Sequence, residues 1–306
     1  MTKYTPQTKD ELANLIQDFS VNLADIDISA IKDMSWLFKD SKRKDFGGIE
    51  LWDTSNVVDM SYMFCNAKYF NHNINKWSVS AVTNMECMFC GAESFNQPLD
   101  SWNTKSLTNM AGMFDNAKNF NQPLDKWDTS SVENMRDLFS GAEHFNQNIN
   151  AWNVSKVVSM TAMFNGAKCF NMPLNSWDIS SVETISGMFS NANAFNQPLD
   201  SWNTSNIKTM IAVFSGAKSF NQPLNAWNVS SVTIMERMFE NAESFNQRLD
   251  SWDISSVWNM QNIFHNAKSF NQNLDSWRVD SLQIINADAL KGSAMENKLP
   301  KWFKSK

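Results

Sequence analysis

Cysteine is scarce, four in 306 residues, too few for the disulfide framework that holds small secreted domains together. Tyrosine is scarcer still, three against 22 phenylalanines and 13 tryptophans. Tyr normally competes wherever a ring end can reach water, so an excess this lopsided suggests a unit that has been copied. Only nine glycines and seven prolines stand beside 18 methionines. No apolar stretch approaches the ~18 residues of a transmembrane helix. The start, Met1-Thr2-Lys3-Tyr4-Thr5-Pro6-Gln7, holds no apolar segment of the kind a secretory signal carries. The formal net charge is −6, with no basic run beyond Lys42-Arg43-Lys44. There is no electrostatic footprint for nucleic acid or an anionic membrane surface. What is present is hydrophobic content of 42%, enough to bury a sizeable core.

Self-similarity accounts for the imbalance. Trp recurs every 25 residues at Trp52, Trp77, Trp102, Trp127, Trp152, Trp177, Trp202, Trp227, Trp252 and Trp277. Two Phe columns keep the same step, Phe64 to Phe264 and Phe70 to Phe270. With nine members each, they hold 18 of the 22 Phe. The units run without insertion or deletion from Trp52 to Trp277. A looser copy (Ile31, Met34, Phe38, Phe46) precedes them, and Leu299 with Trp302 begins another.

Within a unit, Val132, Met135, Leu138, Phe139 and Ala142 fall on one face of a 3.6-residue period. Ser130-Ser131-Val132-Glu133 reads as a capping box, and Asn66, Gly91, Asn116, Gly141 and Gly166 stand where a helix would close in a left-handed residue. These cues predict a helix of about ten residues per unit. Leu99, Trp102 and Thr104 give L-x-x-W-x-[T/V/I], whose last position is β-branched in every full unit, and predict a strand. Pro98, Pro123, Pro173, Pro198 and Pro223 stand just before it. Strands stack about 4.8 Å apart, helices about 8–10 Å, so such an array should curve. The expected class is α/β: a curved parallel solenoid, leucine-rich-repeat-like, with one short strand and one short helix per 25-residue repeat. Residues 1–24 read as an N-terminal helical cap with an apolar stripe of Leu12, Leu15, Ile16 and Phe19. Residues 25–281 read as the array, and 282–306, with Lys301, Lys304 and Lys306, as a C-terminal cap.

The pattern W-[D/N]-[T/V]-S-x-V-x-N-M-x-x-M-F-x-x-A-x-x-F-N-Q-x-L, nearly complete in residues 230–254, resembles the 25/26-residue repeat of BspA-like leucine-rich repeat surface proteins, also called the Mycoplasma-lipoprotein repeat. The resemblance covers roughly residues 25–281. It implies a bacterial surface or secreted protein acting in adhesion or protein interaction, with no enzymatic activity attached to the repeat. Neither a signal peptide nor a lipobox is read in the sequence.

The chemistry-bearing residues point the same way. Catalysis needs different side chains converging at one place, which breaks a repeat. His72, His144 and His265 are scattered, and no catalytic residue, metal site or cofactor is expected. Cys87-x-x-Cys90 has no matching pair, and a helical spacing of 8–10 Å would keep Cys65 from bridging to Cys90. The Asn column Asn71 to Asn271 reads as a ladder satisfying turn backbone. Lys68, Glu93, Lys118, Glu143, Lys168, Asn193, Lys218, Glu243 and Lys268 alternate in sign and would pair between neighbours, fixing register.

One solvent-facing column remains as the candidate binding strip: Asn103, Asp128, Asn153, Asp178, Asn203, Asn228 and Asp253. It would offer a protein or glycan a shallow polar surface, with Ca²⁺ bridging carboxylates as a further option. A second candidate surface lies on the helical side, where units differ most, at Val58, Val158, Lys208, Ile211, Ile234 and Trp258, with Ile211, Ile234 and Trp258 foremost. The reading is a non-enzymatic solenoid presenting an extended surface to an unidentified protein or cell-surface partner. The alternatives are a carbohydrate- or calcium-dependent module and an intracellular effector or scaffold. Neither nucleic-acid binding nor membrane insertion is expected.

Overall fold

The computed structural model describes residues 3–305, and one coil, residues 102–126, contains the logic of the others. Trp102 opens a tight turn, its N–H bonding back to the Leu99 carbonyl at 3.2 Å, and Leu107 closes the next on Thr104 at 2.9 Å. From Met110 the backbone alternates. Met110, Gly112, Phe114 and Asn116 donate forward to Asn134, Arg136, Leu138 and Ser140 of the following coil at 2.6–3.3 Å. Between them, Met113, Asp115 and Ala117 donate three residues back within their own coil at 3.0–3.2 Å. The Ala111 N–H is taken by the Asn109 side chain at 3.1 Å. Every N–H from Met110 to Ala117 therefore has a partner, as buried backbone requires.

This alternation needs two left-handed residues per coil, here Gly112 (φ 59°) and Asn116 (φ 54°). The same two positions are left-handed in the coils that follow, for example Ala162 and Gly166, or Asn262 and Asn266. One parallel bridge per coil runs from Asp33 through Asp59, Asn84, Asn109 and onward to Ile284. The expected leucine-rich-repeat-like parallel solenoid is the architecture found.

Its repeats, however, hold neither the expected helix nor the expected strand. Among the described residues there is one α-helix, α1 (Lys9–Gln17), with single 3₁₀ turns at Leu23–Asp25, Ile49–Leu51, Ala287–Leu290 and Lys301–Ser305. The segment expected as helix is the alternating ladder. Its turns close on i→i−3 bonds, so apolar residues recur every three or four positions, as they would in a helix. The supposed capping serine, Ser130, instead gives its N–H (3.0 Å) and hydroxyl (2.6 Å) to Asp128 Oδ1, the hydrogen bonds of an Asx turn. The segment expected as strand is also turn, and side chains link it to its neighbours. Curvature from a wide helical side accordingly has no source here.

The core is built from columns. Phe114 stacks on Phe120 within the coil (4.0 Å, 10°) and on Phe139 in the next (5.6 Å, 3°), and Trp102 on Trp127 (6.1 Å, 10°). From Trp77 to Trp277 each Trp of the column donates its indole N–H to a carbonyl 28 residues back, Trp127 to Leu99 at 3.0 Å, so buried rings keep their polar edge satisfied. Asn Oδ1 atoms form a third column: Asn121 accepts from the Asn146 N–H and the Gln147 amide, both at 2.9 Å. The alternating charges pair, Lys68 and Lys118 with Glu93 at 3.5 Å and Lys268 with Glu243 at 2.9 Å.

At the N-terminal end, Thr8 Oγ1 accepts from the Glu11 N–H at 3.2 Å and opens α1, which buries Leu12 and Ile16. Phe19, expected on the same stripe, lies beyond the helix and is 58% exposed. Met1, Thr2 and Lys306 lie outside the described residues.

Candidate interaction surface

The strip residues sit at the outward corner after each Trp, where a buried Trp and a buried β-branched residue flank an exposed polar one. Asn103, Asp128, Asn153, Asp178, Asn203, Asn228 and Asp253 are all exposed. Thr hydroxyls in the coil before fix part of this column from beneath, Thr104 Oγ1 bonding the Asp128 carbonyl at 3.0 Å and Thr129 the Asn153 carbonyl at 2.9 Å. Every member also caps its own turn. Oδ1 accepts the N–H two residues on, at 3.0 Å for Asp128 and Asp178, 3.1 Å for Asn153, Asn228 and Asp253, 3.2 Å for Asn203 and 3.3 Å for Asn103. Among the described residues nothing bonds the other carboxylate oxygen or the amide nitrogen. The Asp128, Asp178 and Asp253 carboxyls titrate below their usual range, chiefly through the serine hydroxyl two residues on and then its N–H.

The strip is thus a stack of Asx turns, and its side chains are held in one geometry. Successive members are one coil apart, about 5 Å, so the seven span about 30 Å. No two of its aspartates are in adjacent coils. Asp128 and Asp178 are two coils, about 10 Å, apart, too far for one Ca²⁺ with ligands at about 2.3–2.6 Å to join them. Among the described residues no group of three or more His, Cys, Asp or Glu is placed to hold a metal.

The second surface lies on the ladder face, since the helical side does not exist. Ile234 is itself a bridge residue, between Thr209 and Asn259, and Ile211, Ile234 and Trp258 are each half-buried. Val58 and Val158, in the same column as Trp258, are the more exposed apolar residues of this surface.

The histidines are held locally and separately: His72 Nε2 meets Glu50 Oε2 at 2.6 Å, and His144 Nδ1 and His265 Nδ1 meet the carbonyls of Lys118 and Asp288. The cysteines change more. With the backbones of their coils joined by the Asn66–Cys90 hydrogen bond at 2.6 Å, the separation argument against a Cys65–Cys90 contact fails. The Cys90 thiol donates to Asp115 Oδ2 at 3.6 Å, and its interaction with Cys65 and Cys87 lowers their pKa and raises its own. All four cysteines are free thiols.

One group escaped the sequence reading. Trp36 and Tyr69 are 47% and 54% exposed, and with Phe19 they are the exposed aromatic residues of the N-terminal end, where Leu51 is exposed as well. Trp36 falls in the column of Tyr62, Cys87 and Gly112, all left-handed. The irregular spacing of the first coil hid that register.

Residues 10–127, 108–210 and 196–302 each match the model of one family, described as Mycoplasma protein of unknown function, DUF285. The chain belongs to that family. No curated protein matches its sequence. Among solved structures it is similar to TLR13 in a TLR13–ssRNA13 complex, at 11% identity and a TM-score of 0.30, covering 93% of this chain and 54% of that one. It thus spans about half the length of the TLR13 chain. It is also similar to an internalin, InlF, from Listeria monocytogenes, at 10% identity and a TM-score of 0.22, covering 93% of this chain and 86% of that one. Among the described residues no helix is long and apolar enough to cross a membrane.

Proposed function

We propose that this chain is a non-enzymatic repeat protein whose Asn/Asp column is an extended recognition surface for a protein partner, of the adhesion type implied by its resemblance to BspA-like surface proteins. The observation that carries this is the column itself, seven outward polar groups in successive coils, each already fixed by its own Asx turn. Ordering a side chain on binding costs about 0.5–1.5 kcal/mol, and much of that cost is removed where the turn has fixed it beforehand. Affinity then comes from many small contacts repeated along a rigid ladder. The partner must present donors to the free carboxylate oxygens of Asp128, Asp178 and Asp253 and acceptors to the free amide nitrogens of the four asparagines, at a matching spacing. The three histidines lie in separate coils, His72 paired with Glu50 and the other two with backbone carbonyls, which supports a role without catalysis.

The test replaces two aspartates, Asp128→Arg and Asp178→Arg, in the full chain, immobilises it, and measures capture of extracellular proteins from the native host. Partner capture should fall at least about tenfold, as expected when a central pair of contacts is reversed in charge. Undiminished capture by a variant with unchanged circular dichroism would rule the column out.

A further inference from the structure

The regular coils and the N-terminal end differ in what they show to solvent. Along the array, the outward left-handed column holds Cys87, Gly112, Asp137, Ala162, Gly187 and Ala212, small or polar residues. At the N-terminal end the same column holds Trp36 and Tyr62, stacked at 4.1 Å and 9°. The chain's three tyrosines are all within its first 69 residues. So are all the cation–ring contacts among the described residues, including Lys39 over Trp36 at 4.3 Å, Arg43 over Phe19 at 5.3 Å and Lys44 over Tyr69 at 5.3 Å. Trp, Tyr and Arg are the side chains that dominate binding energy at protein interfaces. Here Trp36, Tyr62 and Tyr69 gather, partly exposed, at the N-terminal end of the array, while Arg43 is buried beside Phe19.

They also surround space. Phe19, Trp36, Lys39 and Lys42 line an open hollow of about 640 Å³, and Lys42, Lys44 and Tyr69 a second of about 650 Å³, with Lys42 on the rim common to both. Lys39, Lys42 and Lys44 are exposed and pair with no carboxylate among the described residues, unlike Lys68 beside them. On a chain of net charge −6, the lining of these two hollows is locally cationic, with Lys9, Lys39, Lys42, Lys44 and Lys68 against Asp10 and Asp40. Asp10 lines the first hollow and Asp40 lines both, which disfavours a continuous polyphosphate backbone. A peptide fits better, because its N–H groups can meet those carboxylates while its own acidic side chains meet the lysines.

We propose that Phe19, Trp36 and Tyr69, with Lys39, Lys42 and Lys44, form a docking surface for an acidic segment of a protein partner carrying an apolar anchor residue. This rests on the chain being a recognition protein, but it uses a surface separate from the Asn/Asp column. Lysines at the rim add attraction screened over about 8 Å at physiological salt, and the aromatic faces supply the desolvated contact.

The probe is a fluorescein-labelled random copolymer of glutamate and tyrosine, titrated into the full chain and into three variants. It should bind the unaltered chain and weaken as salt rises. Binding should fall about tenfold or more in Lys42→Glu/Lys44→Glu, whose sites are exposed and leave the core untouched, and again in Trp36→Ala. Asp128→Arg/Asp178→Arg should bind it normally, so failure of the column leaves this result standing. The proposal is overturned if the copolymer does not bind, if the lysine variant binds it undiminished, or if oligouridine displaces it at equal affinity.

Discussion

The left-handed residues decide whether a 25-residue unit of this composition can form the ladder at all. A left-handed conformation costs an L-residue about 1–2 kcal/mol, which glycine escapes. Gly141 shows the need twice over: its φ is 64°, and an added Cβ would stand 2.4 Å from Asn116 Oδ1 of the preceding coil. Gly141→Ala should lower stability by about 2 kcal/mol. Ala162 poses the opposite case, a methyl-bearing residue at φ 53°. Freeing the unfolded chain costs Ala162→Gly about 0.5–1 kcal/mol, less than the strain it relieves. Its stability should therefore rise by up to about 1 kcal/mol, an outcome foreign to a helix interior, where the same change destabilises. Chemical denaturation of both variants checks the pair. These positions were partly legible in the sequence: Asn66, Gly91, Asn116 and Gly141 were seen as left-handed closing residues. The companion column four residues earlier was not, because Tyr62, Cys87, Ala162 and Arg237 are poor advertisements for a positive φ.

The coil, more than any helix or strand, is the element of this protein. Its period, its buried Trp and Phe columns and its Asn ladder were all legible, since each follows from one residue type at one spacing. Its secondary structure was not. Apolar residues at Val132, Met135, Leu138, Phe139 and Ala142 satisfy a helical period and a succession of i→i−3 turns equally well. Ser130 with Glu133 satisfies a capping box as readily as Asp128 with Ser130 satisfies an Asx turn. What distinguishes the two is where the alternate N–H groups go, and that is a contact between coils. Because each coil bonds only its neighbours, stability is approximately a sum of coil and interface contributions. In-frame deletion of residues 152–176, one whole coil, should therefore leave a folded protein with a cooperative thermal transition. Deletion of residues 152–164 should not, since it moves the later columns out of register. Calorimetry on the two deletions distinguishes them.

At the scale of the whole molecule, the repeat absorbs nearly all of its own chemistry. Trp, Phe and Met columns are interior, Asn Oδ1 atoms bind backbone, and Lys and Glu pair between neighbours. The outward Asn/Asp column was legible as a polar row, though not as a stack of turns. The aromatic end was illegible because it lies where the repeat is irregular, and periodicity informs only about what recurs. Both proposed surfaces depend on the backbone being a ladder of turns, which holds the column at one register and turns Trp36 outward. Backbone resonance assignment of the full chain tests that claim most directly. The account predicts positive φ at Ala162, Ala212 and Arg237, with helical shifts interrupted every few residues. An unbroken run of helical shifts from Met160 to Ala167 would contradict it.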